Sequence, residues 1–498
     1  MAGPTDKSRK GFLRRFRELV TEFGGCEDVD LEDTIHIESR KIRVPAPVVP
    51  LQILLGGEKG KRLFLYPEIR ITEDGTMTES GAFLLFDPDQ FFSGISGFIR
   101  LFPGDSLILG RESAAQNDLL TFPKSVGERH LSLKLPDNGL VLKDRSPEHG
   151  TCISPLASDK KVNRLATWRR NKLERLARVL PGPLEPLPRE VAGDLLDAVI
   201  DIVEREPRQS LDSQGRPGGV VALPHDVSPI LVGDLHARID NLLVVLTQNG
   251  FLEALEQGRA ALIILGDAVH SDDEGTEDRM DTSMLMMDLI FRLKIKFPDR
   301  VYYLRGNHDS FSEDISKGGV PQGLLWEQAL HENRGAKYAR AMARFYDSLP
   351  YVALSRRFIA CHAGPPTCKV SRDMLINIRQ HPKLEREITH VRLQKPNSPS
   401  GYNRGDVKRL RARLELDPET PFIVGHTPLS IDDTLWLNAG GIPHHHVLFG
   451  ANPDWVGVIT QVGKRLLPLR YPAEPLLQVF NRLHQDARAL TAGTKSSR

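Results

Sequence analysis

Five segments of the chain share one pattern: a run of apolar, β-prone residues that ends in a tight turn and is followed at once by polar side chains. Short apolar runs bounded by turn residues predict buried strands. Sites in open α/β sheets are built at the carboxyl ends of the strands, so we expect the polar residues after the five strands to lie close together. The segments are residues 229–236, 261–267, 301–308, 358–362 and 422–426.

The polar residues at these strand ends are of the kinds that bind metal ions. They comprise two carboxylates, one amide and three imidazoles. Mixed oxygen and nitrogen ligands in that number suit two divalent ions, such as manganese, iron or zinc, better than one structural zinc. One more histidine, His308, follows the third strand and falls outside this set. The six candidate ligands are Asp234, His236, Asp267, Asn307, His362 and His426.

Upstream of these segments, residues 48–156 have a different pattern. Runs in which apolar and polar residues alternate, such as 62–66 and 130–135, are separated by Pro, Asp, Asn and Gly. Alternation with a period of two predicts an antiparallel β-sandwich. The segment 189–475 instead opens with a helical pattern and then alternates strands with helical stretches, which predicts an α/β domain in which two sheets meet at the site.

Three further segments complete the predicted organisation. Residues 1–47 form a basic amphipathic segment, in which apolar residues of the first 25 positions recur at helical spacing between lysines and arginines. Such a helix either docks on a membrane surface or a partner, or it is a terminal helix that packs on the fold or frays. Residues 157–188 are predicted to be a basic helical linker with a proline-rich end, and residues 476–498 a C-terminal tail.

Composition and charge change this picture little. A chain of 498 residues is long for a single core, so two or three domains are expected. The four cysteines form no Cys-x-x-Cys pair, and neither a signal-peptide core nor a membrane-length apolar run is seen, which indicates a cytoplasmic soluble protein. The basic stretch 159–180 contains one aromatic residue, Trp168, so no nucleic-acid partner is expected, and no membrane partner is expected for the chain as a whole.

Taken in order, the five strand-end motifs resemble those of the phosphoprotein-phosphatase family of binuclear metallophosphoesterases. One such motif arises easily by chance, whereas five in order, each behind a predicted strand, form a specific pattern. The resemblance implies a calcineurin-like α/β fold, two divalent metal ions with manganese as the first choice, and in-line attack on phosphate by a metal-bridging hydroxide. The motifs are Gly233-Asp-Leu-His236, Gly266-Asp267, Leu304-Arg-Gly-Asn-His-Asp309, Cys361-His-Ala-Gly364 and Gly425-His-Thr427.

The same resemblance implies how the ligands are shared between the two metals. Asp267 would bridge them and is in that sense part of the catalytic machinery. Sequence alone leaves open how the two later histidines divide between the metals. Under the family pattern the other ligands of the first metal are Asp234, His236 and His426, and those of the second are Asn307, His362 and a further histidine.

The second motif departs from the family pattern. The family continues after Gly-Asp with two residues and then Asp-Arg-Gly, but here those Asp and Arg positions hold His270 and Ser271. The family's aspartate orients the catalytic histidine, which corresponds to His308. We therefore expect either Asp272 or Asp273 to orient His308. We also expect that the departure alters the substrate preference and does not abolish activity.

Residues 48–156 in turn resemble a forkhead-associated domain, a β-sandwich whose loops bind phosphothreonine peptides. The resemblance rests on motifs such as 109–111, 126–130 and 146–151. It implies that Arg111 contacts the phosphate and that His130 braces the loops. Gly127 and His149 replace a serine and an asparagine of the family pattern, so a structural or dimerising sandwich is the alternative.

These resemblances predict a metal-dependent phosphatase for phosphomonoesters, with phosphoserine and phosphothreonine of proteins as substrates and a role in signalling. His308 would protonate the leaving oxygen, and Arg305 and Arg404 would bind the phosphate. A small-molecule phosphohydrolase, for example one acting on dinucleoside polyphosphates, is one alternative. A phosphopeptide-binding scaffold with an inactive phosphatase fold is another. The sequence predicts a phosphoprotein substrate or partner and leaves the oligomeric state open.

Overall fold

The computed structural model of the chain describes most of residues 26–485, which fall into two compact units. The first unit contains residues 1–70 and 78–157, and the second contains residues 71–77 and 158–498. The amphipathic helix expected over residues 1–25 and the end of the expected C-terminal tail, 486–498, lie outside the described residues. The undescribed positions between 26 and 485 are 30, 32–33, 46–49, 58–59, 72–76, 89–97, 113–119, 137–138, 157–166, 274, 396–397, 432 and 463–464.

The first unit is β-rich, as its alternating sequence predicts, and its described residues contain no helix. One sheet has the strand order β1-β3-β10-β9-β8 and the other β2-β11-β4-β5-β6-β7. Apolar residues of both sheets, such as Ile42, Ile53 and Leu131, belong to a single buried core. The strands are β1 (Glu27–Asp28), β2 (Ile35–His36), β3 (Lys41–Val44), β4 (Leu51–Leu55), β5 (Lys61–Ile71), β6 (Met77–Phe86), β7 (Phe98–Leu101), β8 (Ser106–Leu109), β9 (Leu131–Lys134), β10 (Leu140–Asp144) and β11 (Thr151–Pro155).

The second unit alternates strands and helices. Its strands are β12 (Gln209–Leu211), β13 (Pro217–Ala222), β14 (Ser228–Val232), β15 (Ala260–Ile264), β16 (Val301–Tyr303), β17 (Val352–Leu354), β18 (Ile359–Cys361), β19 (Phe422–Val424), β20 (Leu435–Leu437), β21 (His445–Leu448), β22 (Trp455–Val462) and β23 (Arg465–Pro472). Its helices are α1 (Thr167–Val179), α2 (Arg189–Glu204), α3 (Ile239–Leu246), α4 (Phe251–Glu256), α5 (Asp281–Lys296), α6 (Gln322–Arg334), α7 (Ala336–Ser348), α8 (Arg372–Ile376), α9 (Pro382–His390) and α10 (Arg404–Arg413), with short 3-10 turns at Ile378–Gln380 and Ala439–Gly441.

These strands form two sheets, and the five strands predicted from the sequence divide between them. The five-stranded sheet has the order β16-β15-β14-β22-β23, so the first three predicted strands are neighbours and run parallel. The seven-stranded sheet has the order β12-β13-β17-β18-β19-β21-β20 and contains the other two, which are also parallel neighbours.

Alternation along the strands lets the two sheets share a core. Ile423 of β19 and Ala360 of β18 belong to a core cluster that also contains Leu231 and Ile263 of the five-stranded sheet. Their neighbours Phe422 and Val424 belong to a different cluster, with residues of α9 and α10. Successive side chains of a strand point to opposite faces, so each central strand is buried on both sides, which explains its almost wholly apolar sequence.

Helix α2 begins where the sequence predicts it, but its buried face is different. The sequence pattern favours a stripe containing Val191 and Leu195, whereas the buried residues are Ala192, Leu196, Val199, Ile200 and Val203. Val191 is 50% exposed. The two stripes share Val199 and Val203, and the packing against neighbouring helices, which the sequence does not state, decides between them.

The segment predicted as a basic linker carries α1, and the charges of this helix fix it to the second unit. Arg169 is buried, donates to Thr247 Oγ1 at 2.8 Å and pairs with Glu474. Lys172 pairs with Glu253 at 2.5 Å. The helix therefore packs through two of its basic residues as well as through the buried Leu173 and Leu176.

Within the part of the chain that the structure describes, no helix is long and apolar enough to span a bilayer.

Candidate active site

The candidate ligands follow directly after strands, on turns whose backbone is unusual for non-glycine residues. His236, Asp267 and His426 have φ values of 40°, 49° and 66°, and His270 has a φ of 67°. Left-handed conformations are uncommon for residues with a Cβ, and they cluster at functional sites where the surrounding structure holds them. Four such residues at neighbouring strand ends indicate a site that the fold has fixed in place.

Two glycines of the motifs are required by close contacts with the carboxylates. A Cβ on Gly306 would lie 2.1 Å from Asp267 Oδ1, and one on Gly425 would lie 2.2 Å from Asp234 Oδ1. No other residue fits at these positions without moving a ligand. Gly306 of the third motif therefore leaves room for Asp267 of the second motif. Gly425 of the fifth motif leaves room for Asp234 of the first.

The candidate ligands form two groups that share one carboxylate. Asp234, His236 and Asp267 each offer a ligand atom within 4.8 Å of the others, and so do Asp267, His362 and His426. All five side chains are buried apart from His426, which is partly exposed. Asp267 is thus placed to bridge two metal ions.

His426 joins His362 in this arrangement, whereas the family pattern assigned it to the first metal with Asp234 and His236. The backbone of His426 does reach Asp234, whose carboxylate accepts the His426 amide N–H at 2.9 Å. The side chain, however, turns the other way and packs against His362, with ring centroids 5.0 Å apart. Sequence motifs identify the residue but not the direction of its side chain, which the left-handed turn sets.

The three histidines each use one ring nitrogen on a backbone carbonyl and keep the other for the site. His362 Nδ1 donates to Leu265 O at 2.9 Å, and His236 Nδ1 donates to His270 O at 3.0 Å. His426 Nε2 lies 3.1 Å from the carbonyl oxygen of His390. Metal-binding histidines are generally held this way, because the outer hydrogen bond fixes the tautomer and the ring orientation.

The remaining ring nitrogen of His362 lies at the centre of a group of potential ligand atoms. His362 Nε2 is 2.9 Å from Asn307 Oδ1, 3.2 Å from Asp267 Oδ2 and 3.2 Å from His426 Nδ1. Asn307 therefore joins the second group. Four acceptor atoms facing one another are repulsive unless a proton or a cation lies among them.

The electrostatics of the site fit bound cations. Burial raises the pKa of Asp234 to about 6. Burial alone would lower the pKa of His362, but the carboxylates of Asp267 and Asp234 outweigh it and raise the pKa to about 9. Without metal the cluster thus holds a proton on a buried imidazole, and a divalent cation bound there would replace that proton. The residues present fit two divalent ions.

His308 lies beside the first group and contacts His270. Their Nδ1 atoms are 2.9 Å apart, and the amide N–H of His308 donates to Asp267 Oδ1 at 2.8 Å. Burial lowers the pKa of His308 to about 4. Asp309, next in sequence, accepts from the Gly306 amide at 2.8 Å and from the Tyr303 hydroxyl, and so braces the turn that carries these residues.

The two aspartates expected to orient His308 have other partners. Asp272 pairs with Lys317 at 2.5 Å, and Asp272 Oδ2 lies 3.5 Å from His236 Nε2. Asp273 pairs with Arg238. Among the described residues, it is His270, at the position where the family has an aspartate, that forms the hydrogen bond with the His308 ring.

A cavity of about 500 Å³ opens at the site, and arginines lie on its wall. Arg305 lines it, as expected for a phosphate-binding residue, and its buried Nη1 has no hydrogen-bond partner among the described residues. Arg404, also expected to bind phosphate, is exposed at the start of α10 and is not among the residues that line the cavity. Arg392 does line the cavity, and its Nε lies 3.4 Å from His426 Nε2.

Sequence reasoning missed Arg392 and the contact made by His270. Arg392 lies in the loop after α9, outside every motif, and nothing in its local sequence marks it. The family pattern marks His270 as a departure, and the sequence predicts that Asp272 or Asp273 orients His308 in its place. A signal for it was present, because it occupies the same motif position as the orienting carboxylate of the family.

In the first unit, the candidate peptide-binding residues are arranged differently. His130 is fully buried and both its ring nitrogens are satisfied: Nδ1 accepts from the Gly127 amide at 2.9 Å, and Nε2 lies 3.0 Å from Thr151 Oγ1. It braces two loops. Arg111 is exposed, with its Nε bonded to Val126 O at 2.6 Å. A Cβ on Gly127 would lie 2.0 Å from Ser146 Oγ, so the Ser146 hydroxyl occupies the space that a side chain at position 127 would need.

Comparison with known proteins agrees with the site. Residues 229–451, just under half of the chain, match the family model described as calcineurin-like phosphoesterase. The serine/threonine-protein phosphatase PP2A-like PPG1 of Candida albicans is 29% identical over 167 residues, covering 33% of this chain and 34% of that protein. The serine/threonine-protein phosphatase 4 catalytic subunit of Kluyveromyces lactis is 25% identical over 169 residues, covering 33% of this chain and 47% of that protein.

A solved structure of a protein serine/threonine phosphatase from Saccharomyces cerevisiae, with similarity to human phosphatase PP5, is 16% identical with a TM-score of 0.42, covering 57% of this chain and 90% of that one. The chain spans less than half the length of each of the two curated relatives. Residues 229–451 are thus similar to calcineurin-like phosphoesterases, and serine/threonine-protein phosphatases are among the relatives of the chain; these matches support a hydrolase.

Proposed function

We propose that the chain is a metal-dependent phosphatase for phosphomonoesters, with phosphoserine and phosphothreonine side chains of proteins as its substrates. The observation that carries the proposal is the pair of buried ligand groups that share Asp267, one of which reaches, through His426, a cavity that His308 and Arg305 also line. The names of the curated relatives support phosphoproteins as the substrate class.

The proposed metal ligands follow the two groups. Asp234 and His236 would hold one ion with Asp267, and Asn307, His362 and His426 would hold the other with it. Two divalent ions bound there would supply Lewis acidity toward the phosphoryl oxygens and lower the pKa of a water molecule. Carboxylate, amide and imidazole ligands suit manganese, which we propose as the native ion, with iron or zinc as alternatives.

The cavity residues would bind and orient the phosphate. Arg305 and Arg392 would hold its oxygens, because a guanidinium can present two N–H groups to one phosphate. His308 would face the leaving oxygen. Since His308 Nδ1 is engaged by His270, Nε2 is the nitrogen available to give a proton to the leaving group.

The direct test compares two substrate classes on the same preparation. Manganese-dependent release of phosphate from a phosphothreonine peptide, lost in Asp267→Asn and kept in the exposed control Asp226→Asn, would support the proposal. Turnover of a dinucleoside tetraphosphate alone would move the substrate to small molecules. No turnover of either with manganese, iron or zinc would overturn the enzyme and favour a scaffold.

We further propose that the first unit is a forkhead-associated-like domain that guides substrate choice by binding phosphothreonine peptides through Arg111. The exposure of Arg111 and the bracing role of His130 support this. The full chain titrated with a phosphothreonine peptide would show saturable binding that Arg111→Ala removes and Arg356→Ala, an exposed arginine of the second unit, does not. Equal binding by both variants would contradict it.

The four cysteines are free thiols, Cys26, Cys152, Cys361 and Cys368. This supports a reducing compartment, the cytoplasm, as the working location of the proposed enzyme.

A further inference from the structure

His270 and His308 are held in fixed positions and joined ring to ring. The amide N–H of His270 donates to Ser283 Oγ at 2.9 Å, and that of His308 donates to Asp267 Oδ1 at 2.8 Å. Their Nδ1 atoms are 2.9 Å apart, which is a hydrogen-bond distance. Only one proton can lie between two nitrogens at this distance, so one ring donates through Nδ1 and the other accepts.

The surroundings of His270 decide which ring donates. His270 is fully buried, its Nε2 has no hydrogen-bond partner among the described residues, and its ring meets Trp326 edge-on with centroids 6.4 Å apart. A proton on Nε2 would leave a buried N–H without an acceptor, which is rarer and costlier than a buried acceptor without a donor. The proton of His270 is therefore on Nδ1 and is donated to His308.

The tautomer of His308 follows from this. Its Nδ1 accepts the proton of His270, so its own proton is on Nε2, the nitrogen left for the cavity that His308 lines. Among the described residues no carboxylate forms an ion pair with the His308 ring. His308 is thus supported by a neutral imidazole where the family pattern has an anion.

A neutral imidazole supported by another neutral imidazole is a weak proton donor, and this matters unequally for different esters. When phosphate is transferred to water, the bond from phosphorus to the leaving oxygen breaks and a bond from phosphorus to the water oxygen forms. A serine or threonine alkoxide must receive a proton as it leaves. A tyrosine phenolate, whose conjugate acid has a pKa of about 10, can leave with its electron pair, and the water proton is lost to solvent.

We propose that His270 is a positioning residue that holds His308 as the Nε2–H tautomer. This tautomer, supported by a neutral ring, extends the substrates from alkyl phosphates to aryl phosphates such as phosphotyrosine. The site hydrolyses aryl phosphates faster than alkyl phosphates. The substrate part rests on the proposed phosphatase function. The tautomer part stands on the hydrogen-bond geometry alone.

The tautomer is measured without any turnover. Nitrogen-15 spectra of the histidine-labelled full chain, assigned with His270→Ala and His308→Ala, should show His308 protonated on Nε2 and His270 on Nδ1. In His270→Asp, the partner nitrogen of His308 should gain a proton, because a carboxylate accepts from it. A His308 that is protonated on Nδ1 in the native chain would overturn the positioning role.

The substrate part is measured with one peptide sequence carrying either phosphotyrosine or phosphothreonine. In the native chain kcat/KM should be higher for phosphotyrosine, and His308→Ala should lower the rate for phosphothreonine far more. His270→Asp should shift the ratio toward phosphothreonine by about tenfold. The exposed control His225→Asp should keep the native ratio.

The outcomes separate the two proposals. Metal-dependent turnover with a ratio that His270→Asp does not change overturns the aryl preference and leaves the phosphatase standing. No metal-dependent turnover of either peptide overturns the phosphatase and the aryl preference together, while the nitrogen-15 spectra still decide the role of His270.

Discussion

His445 and His362 both belong to the seven-stranded sheet or to the turn that follows one of its strands, and both side chains are fully buried. Their surroundings differ. Both ring nitrogens of His445 form hydrogen bonds, Nδ1 with the carbonyl oxygen of Phe422 at 3.1 Å and Nε2 with the hydroxyl of Tyr402 at 2.9 Å. His362 uses only Nδ1 in this way. Its Nε2 faces Asp267, Asn307 and His426, which are all potential acceptors.

The difference separates a structural histidine from a candidate ligand. Both histidines are fully buried, and each lies at the end of a strand, so neither burial nor position distinguishes them. The partner of the second ring nitrogen does, because acceptors that converge on one another need a cation to be stable. His445 belongs to the packing of the sheet, whereas His362 belongs to a group of potential metal ligands.

The largest effect on activity is expected from a substitution of Asp267, which both ligand groups share. In Asp267→Asn the charge that would bind two cations is lost, so hydrolysis should fall by about 10³-fold and metal content should fall with it. Metal analysis and phosphate release on the same sample measure both. An active variant that keeps its full metal content would show that Asp267 does not bridge.

The second expected effect distinguishes His445 from His362. His445→Ala leaves Tyr402 and Phe422 without partners in a packed core, so the free energy of unfolding should fall by about 2–4 kcal/mol while metal content stays native. His362→Ala should instead lose metal. Urea unfolding and metal analysis of the pair check this, and metal loss in His445→Ala would remove the distinction.

The third expected effect concerns the cavity wall. Arg392→Ala should lower kcat/KM for a phosphopeptide by about 10²-fold, because Arg392 lines the cavity beside His426. Arg404→Ala is the matched control and should change kcat/KM little, since Arg404 is exposed outside the cavity. The reverse order of effects would restore the assignment implied by the family motif.

The fourth expected effect is on stability as a function of pH. Burial lowers the pKa of His445 to about 4 from its usual 6.5, so the unfolded chain takes up a proton first as the pH falls. The free energy of unfolding should therefore drop through the window from 6.5 to about 4, by about 2 kcal/mol between pH 7 and pH 5 for this one group. Urea unfolding of the native chain and His445→Gln at both pH values measures it, with the exposed His225→Gln as control. If the free energy of unfolding changed equally with pH in the native and His445→Gln chains, His445 would not be the origin of the effect.

The sequence predicted the strands and the polar residues that meet at their ends, because each depends on local pattern. Apolar runs ending in a tight turn are strands β14, β15, β16, β18 and β19, and the polar residues after them do converge. The convergence follows from the rule that parallel neighbours end at the same edge of a sheet.

What the sequence did not predict depends on side-chain direction and on contacts between distant segments. The left-handed turn at His426 sends its ring toward His362, and no motif encodes that. Arg392 reaches the cavity from a loop with no sequence signal. His270 contacts His308 as an aspartate would, but a motif comparison records only that the expected residue is missing.

We propose above that two divalent ions bind side by side, bridged by Asp267. The most direct test is electron paramagnetic resonance of the full chain titrated with manganese, combined with metal analysis. We expect two manganese ions per chain and a spectrum of exchange-coupled pairs that disappears in Asp267→Asn. A single ion, or two ions with uncoupled spectra, would contradict it.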